Sequence, residues 1–404
     1  MTFRLKNIVS FVMLMLLVFS FGSLEASRQS ISGRARPYFL GARTELSGQR
    51  YDLALERFLK VLEYEPNHVE SRMTAADLIV RQAAEAAFEA DILSRRAEAT
   101  EDEDAAQELR ERGRAYEERS RELYKEAYRH YVIGIETILS IPNWQRFTGQ
   151  QRSATFELFK TNAEANTQRI FARLFAMGDR HLEAAEYDIA ERIYYEIIEL
   201  IPSRFEPYVR LAQIADRRGE PDKAIGYFKK VLEVDPANTQ IILNIATEYG
   251  RAGDWENAKV YYRKFIEREP NNIDGYFYLA VAYLQTDNFE TSLRYFEEAL
   301  AIEPDNLDLL DNAARVAESL GNTGKAVGYL MRLVELEETV GNIAYLCSVL
   351  ARLHRWEDLI TYSKRWLELY PGANEAVRYI IFAANQVGNT ELVRQFQRVL
   401  EGMN

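Results

Sequence analysis

Residues 190–202 read AERIYYEIIELIP, and the pattern returns as AIGYFKKVLEVDP at 224–236, AKVYYRKFIEREP at 258–270 and SLRYFEEALAIEP at 292–304. Each stretch opens on a small residue (Ala190, Ala224, Ala258, Ser292), has an aromatic four places on (Tyr194, Phe228, Tyr262, Phe296) and closes on a proline. The prolines, Pro202, Pro236, Pro270 and Pro304, stand 34 residues apart, and Pro371 follows 67 residues later. A second row of small residues, Gly178, Ala212, Ala246 and Ala280, lies 24 residues before the same prolines. Two helices approach closely only where small side chains face each other. Large aromatics then fill the space beside them to crystal-like density. Proline stops the second helix, because the residue before it is driven out of the α region. Gly219, Gly253 and Gly321 fall between the paired helices, where glycine takes the left-handed conformation that ends a helix.

A helix-turn-helix unit repeating every 34 residues resembles the tetratricopeptide repeat. The likeness is fullest over residues 171–304, which hold four units. A fifth, 307–339, keeps Ala313, Ala314, Gly321 and Ala326 without the proline. A sixth, 340–373, has Trp356 and Pro371, with Cys347 in the small slot, and a seventh, 374–404, has Gly388. Residues 35–68 form another unit on Tyr38, Ala42, Tyr51, Ala54, Phe58 and Pro66. Pro221 departs from the pattern by replacing an aromatic, and Leu359 and Ser363 depart by replacing the small and aromatic pair. The resemblance implies an all-α, right-handed superhelical solenoid of stacked helix-turn-helix repeats, because a single unit cannot bury its apolar faces alone.

Residues 69–170 are helical but out of this period. Val69 to Ala99 is alanine-rich, Thr100 to Asp104 is an acidic turn suited to capping a helix, and Ala105 to Ser140 is a second long helix. Helices of this length reach about 45 Å. The reading is a projecting antiparallel hairpin near the N-terminus, with residues 151–185 as a long connecting helix lying against its base. The expected organisation is an exported leader at 1–26, a flexible segment at 27–34, a first repeat at 35–68, the hairpin and connecting helix at 69–170, and an array of about seven units at 171–404.

The leader is expected because Arg4 and Lys6 precede an uncharged apolar run from Ile8 to Phe21. That run is short of the roughly 20 residues that span a bilayer, so it reads as a secretory signal peptide rather than an anchor. Its style places the protein in the periplasm, or on the outer face of the inner membrane, of a bacterium. Membrane contact is then expected only through an uncleaved N-terminal segment. Net charge is −12, which argues against nucleic acid as a partner.

No residue set points to catalysis, a metal or a cofactor. His68, His130, His181 and His354 are scattered and read as packing or surface residues. Cys347, the single cysteine, reads as a buried structural thiol. Gly321 to Lys325 departs from a phosphate loop in spacing, and Ala326 stands where a Ser or Thr would hold magnesium. Tyr187, Trp255, Phe289 and Trp356 share one slot of successive units and read as core.

The resemblance places one face of each first helix on a concave groove. Two places before the small slot, that face carries Arg210, Asn244, Tyr278, Asn312, Tyr345 and Tyr379. Packing requires none of these residue types there. Asn244 and Asn312 resemble part of the asparagine ladder by which some family members grip a peptide backbone. Arg217, Arg251, Arg315, Arg352 and Arg378 belong to the same helices, and their planar guanidinium groups suit carboxylates. The expected function is a non-catalytic scaffold or adaptor of the cell envelope, holding proteins or peptide segments, acidic ones included, in this groove. The alternatives are a structural subunit of an envelope-assembly or secretion machine, and an enzyme whose site the sequence does not reveal.

Overall fold

The computed structural model describes residues 31–141 and 150–403. The expected signal at 1–26 lies outside them, and no helix of the described residues is long and apolar enough to cross a membrane. The described chain is all-α, with 18 helices, and it divides into two compact units at Pro202.

The first unit holds three helix pairs: α1 (Arg36–Ser47) with α2 (Tyr51–Tyr64), α3 (Val69–Glu98) with α4 (Glu103–Ser140), and α5 (Gln150–Glu183) with α6 (Tyr187–Leu200). The second holds six: α7 (Glu206–Arg217) and α8 (Pro221–Val234), α9 (Thr239–Arg251) and α10 (Trp255–Arg268), α11 (Ile273–Leu284) and α12 (Phe289–Ile302). It continues with α13 (Leu307–Ser319) and α14 (Thr323–Leu336), α15 (Val340–Arg352) and α16 (Trp356–Leu369), α17 (Asn374–Gln386) and α18 (Thr390–Met403). Within this unit each helix packs on its sequence neighbours, which is the solenoid arrangement.

Two ladders of short polar residues set the helix starts. Asn238, Asn272 and Asn306 cap the first helices, and Asp254, Asn288 and Asn322 cap the second ones, each accepting a backbone N–H of the first turn. In the second unit the turn inside each pair carries one left-handed residue. It is glycine at 219, 253, 321 and 388, but Asp287 and His354 hold the same conformation at φ 55° and 57°. His354 is thus a turn residue, with its ring 4.9 Å from that of Trp356. Pro221 is tolerated because it is the first residue of α8, where no N–H is needed. In α16 the small and aromatic pair is exchanged for Leu359 and Ser363, both fully buried. The total volume is about kept, and Ser363 Oγ lies 3.5 Å from Cys347 Sγ. Burial pushes the Cys347 thiol up to about 11, so it stays protonated and inert.

The α3/α4 hairpin follows its own period. Ala76, Ala83, Ala90 and Ala97 on one helix, and Ala106, Gly113, Ser120, Ala127 and Gly134 on the other, repeat every seven residues. Ser120 Oγ donates to the Ala83 carbonyl at 2.7 Å, and a Cβ on Gly113 would sit 3.5 Å from the Ala90 carbonyl. The same antiparallel register faces Ala76 with Ala127 and Ala97 with Ala106. A strict seven-residue period keeps one seam in contact along two coiling helices, and small residues on that seam let the backbones nearly touch. Asp102 caps α4 through the N–H groups of Asp104 and Ala105 at 3.0 and 3.2 Å.

The connecting helix reaches well past the hairpin's base. Asn166 donates to the Tyr131 hydroxyl at 2.9 Å, Arg180 to Glu117 at 2.9 Å and Arg121 to Glu196 at 2.8 Å, and Arg114 lies 3.6 Å from Glu186. α5 therefore lies along α4 as far as Glu117, the turn after it reaches Arg114, and α6 meets α4 through Glu196.

Histidines sit at these joints with opposite charge preferences. His181 is buried between Glu117 (3.3 Å) and Glu186 (2.5 Å), with Arg180 also on Glu117 and Arg114 on Glu186. The hydrogen bond to Glu117, aided by Glu186 and opposed by burial, raises its pKa. His68 accepts the Ser71 N–H at 3.2 Å as the N-cap of α3, and burial lowers its pKa despite Glu70 and Glu65. His130 lies 3.3 Å from the Arg72 guanidinium, and burial together with that charge pushes it down to about 4.

The sign of the linkage differs accordingly. The His181 contribution is complete below the usual histidine value near 6.5 and is lost as pH rises through its raised folded value. The His68 and His130 contributions are complete above about 6.5 and are lost as pH falls towards the lowered folded values. The His181 contribution predicts that the urea denaturation midpoint of the first unit falls as pH rises above about 6.5, with hydrogen exchange as the local readout. His181→Gln should flatten the alkaline limb only. A profile unchanged by that substitution would remove His181 from the account.

Candidate functional site

The sequence-derived residues all lie in the second unit, on α7, α9, α11, α13, α15 and α17. Arg217, Arg251, Tyr278, Arg315, Arg352 and Arg378 are exposed, while Arg210, Asn244, Asn312, Tyr345 and Tyr379 are half-buried.

The structure gathers some of them into two polar clusters that bridge neighbouring repeats. In the first, Arg251 on α9 binds Asp216 on α7 and Glu248 of its own helix, the latter at 3.2 Å. Glu248 is buried, and its Oε2 has no hydrogen-bond partner. Burial raises its pKa, with Asp216 adding to the shift and Arg251 opposing it. In the second, Arg315 binds Asp311 at 2.8 Å and its guanidinium lies 5.2 Å from the centre of the Tyr345 ring. Tyr345 donates to Glu318 at 3.0 Å, and Arg352 binds the same carboxylate. Burial and Glu318 push the Tyr345 hydroxyl up to about 12.

The remaining residues stand more singly. Asn244 accepts from Gln240 at 3.1 Å, and the Asn312 amide donates to the Asp308 carbonyl at 2.8 Å. Tyr278 stacks on Tyr262 at 5.8 Å and is 40% exposed. Tyr379 lies 6.4 Å from Trp366, and Arg210 is within 3.3 Å of Gln213.

The sequence reading missed the four carboxylates, Asp216, Glu248, Asp311 and Glu318. Two of them carry a local signal, since Glu248 and Asp311 stand three and four residues before their arginines. The other two act across repeats. As a result, the charge of this face is largely compensated from within. Among the described residues no group of three His, Cys, Asp or Glu is placed to hold a metal ion.

Comparison with known proteins agrees with the repeat geometry. Three family models described as tetratricopeptide repeat match residues 205–238, 242–272 and 273–306. No curated protein matches. Among solved structures, one titled as MamA is 20% identical, covering 40% of this chain and 94% of its own at a TM-score of 0.37. The pilF protein of Pseudomonas aeruginosa is 16% identical over 52% and 96%, TM-score 0.38. PilW, titled a widely conserved type IV pilus biogenesis factor, is 16% identical over 50% and 94%, TM-score 0.38.

Proposed function

We propose, from the premise that this chain is a tetratricopeptide repeat protein, that it is a non-catalytic scaffold binding a segment of a partner protein along the first-helix face of residues 206–386. The observation that carries the reading is the pair of inter-repeat clusters on that face, Asp216–Arg251–Glu248 and Asp311–Arg315–Tyr345–Glu318–Arg352, whose arginines are exposed. Core packing requires neither.

The clusters also shape what the face recognises. An acidic side chain entering it competes with Asp216 or Glu318 for a guanidinium that is already paired. Its gain is the difference between two surface ion pairs, about 0–1 kcal/mol. The larger contributions then come from the Asn244 and Asn312 amides, which can pair with a peptide backbone, and from Tyr278, a flat apolar surface with a polar edge. The charges set register. The apolar run at Ile8 to Phe21 supports export, so the partner is sought in the periplasm or on the outer face of a bacterial inner membrane.

The test starts from a partner captured by crosslinking in the native envelope. Changing Asn244 and Asn312 together to Ala should weaken its binding by about 1–3 kcal/mol, measured by calorimetry, with the helical circular dichroism unchanged. Arg251→Gln with Arg352→Gln should change affinity less than the amide pair does. A partner that binds the amide variant as tightly as the wild type would place recognition elsewhere.

A further inference from the structure

A second surface of the same unit, separate from the first-helix clusters, has the opposite electrostatic character. Tyrosine recurs on the second helices at 34-residue spacing, as Tyr227, Tyr261, Tyr295 and Tyr329. Two first helices supply a tyrosine to meet it. Tyr249 lies 5.6 Å from Tyr261, and Tyr283 stacks on Tyr295 at 5.5 Å and 11°.

Each pair is joined to the preceding repeat by a cation. Lys229 on α8 donates to the Tyr249 hydroxyl at 2.9 Å, and Arg263 on α10 donates to the Tyr283 hydroxyl at 2.8 Å. Lys264 lies over the Tyr261 ring at 4.6 Å. The contact is a repeating device: cation of one repeat, phenol hydroxyl of the next, second tyrosine ring packed beside it.

The three cations share one property. Lys229, Arg263 and Lys264 are exposed, and none makes an ion pair among the described residues. Arg251, Arg315 and Arg352 on the other face are all paired. The hydrogen bond to Tyr249 raises the pKa of Lys229, so it stays charged at any physiological pH. One repeat further on, the polarity reverses. Glu297 takes the place of Lys229 and Arg263, accepting from Tyr329 at 2.6 Å and pairing with Lys325 at 2.5 Å. The cationic strip is therefore bounded, covering α8 to α12.

The chemistry of each module suits a carboxylate. A phenol oxygen that accepts from a cation keeps its own proton, and that proton is left more acidic and free to donate. Ammonium or guanidinium and phenol hydroxyl then offer two convergent donors, the charge-assisted kind that binds anions most strongly. The flanking ring adds apolar area at little entropic cost. Three uncompensated cations on a chain of net charge −12 fall short of the field that draws in a polyphosphate or an anionic membrane.

We infer that the face carrying Lys229, Tyr249, Lys264, Arg263 and Tyr283 binds an acidic peptide segment of a partner protein, holding carboxylates at two sites one repeat apart. The experiment is fluorescence anisotropy of a labelled octaglutamate peptide with the full chain at low ionic strength. Lys229→Gln, Arg263→Gln and Lys264→Gln combined should weaken binding by about tenfold or more, since each removes a charge-assisted contact. Tyr249→Phe with Tyr283→Phe, which keeps both rings, should weaken it by about threefold, as expected for neutral hydrogen bonds. Asn244→Ala with Asn312→Ala should leave it unchanged, which separates this site from the first-helix face.

Three results would overturn the inference. One is an octaglutamate affinity that the triple variant does not alter, and another is no binding of the peptide by the wild type. The third is loss, in the triple variant, of binding to oligothymidylate or to vesicles containing phosphatidylglycerol while the peptide is ignored.

Discussion

Replacing Phe296 with alanine is expected to cost the second unit about 3–5 kcal/mol, the range for emptying a fully enclosed aromatic site. Phe296 is completely buried, with its ring 5.8 Å from Phe277 in an edge-on arrangement. It packs with Ala280, Leu293, Ala299, Leu309, Ala313 and Ala326, residues of four successive helices from α11 to α14.

A solenoid is stabilised by each repeat and its nearest neighbours, so the damage should be local before it is global. Hydrogen exchange should show amide protection in α11 to α14 falling first, and urea denaturation should give the size. Phe296→Leu should cost about 1–2 kcal/mol by contrast, because the next repeat uses Leu330 in the same slot, also fully buried. If the alanine variant lost less than the leucine variant, the interlocking role of the slot would be wrong.

Replacing Ser120 with leucine should destabilise the α3/α4 hairpin by about 3 kcal/mol, through overpacking and a lost buried hydrogen bond. The side chain is fully buried against the Ala83 backbone, so extra carbons can enter only by pushing the helices apart. The neighbouring seam position behaves differently. A Cβ on Gly113 would meet the Ala90 carbonyl at 3.5 Å and the Leu93 side chain at 3.6 Å, ordinary contact distances. Gly113→Ala should therefore fit, and it should stabilise the helix by about 0.5–1 kcal/mol through reduced backbone entropy in the unfolded chain. Thermal denaturation of the pair checks both signs. A tolerated leucine at 120 would mean that the seam is not closely packed along its length.

Much of the fold is legible from local spacing. The 34-residue recurrence of small residue, aromatic and proline specifies paired helices, and the helices follow it through all six pairs of the second unit. Thr100 to Asp104 announces the break between the long helices, and Asp102 caps α4. Even the weak repeats obey, since Leu359 with Ser363 conserves the volume that an alanine and an aromatic occupy elsewhere. These features depend on neighbours within one helix or one turn, so they are written in the order of residues.

The placement of charge is different in kind. Arg251 meets Asp216 from 35 residues away, Arg352 meets Glu318 from 34 away, and Lys229 meets Tyr249 from 20 away. In sequence, Lys229 and Arg251 are equally plausible as surface cations. One is uncompensated and the other is neutralised by its neighbours. Likewise, nothing beside His181 or His130 in sequence separates a histidine clamped by two carboxylates from one pressed against an arginine. The order of residues determined the helices, their pairing and the repeat. The stacking of one repeat on the next decided which charges are spent inside the protein and which remain for a partner, because that depends on the angle and register at which helices far apart in the chain come together.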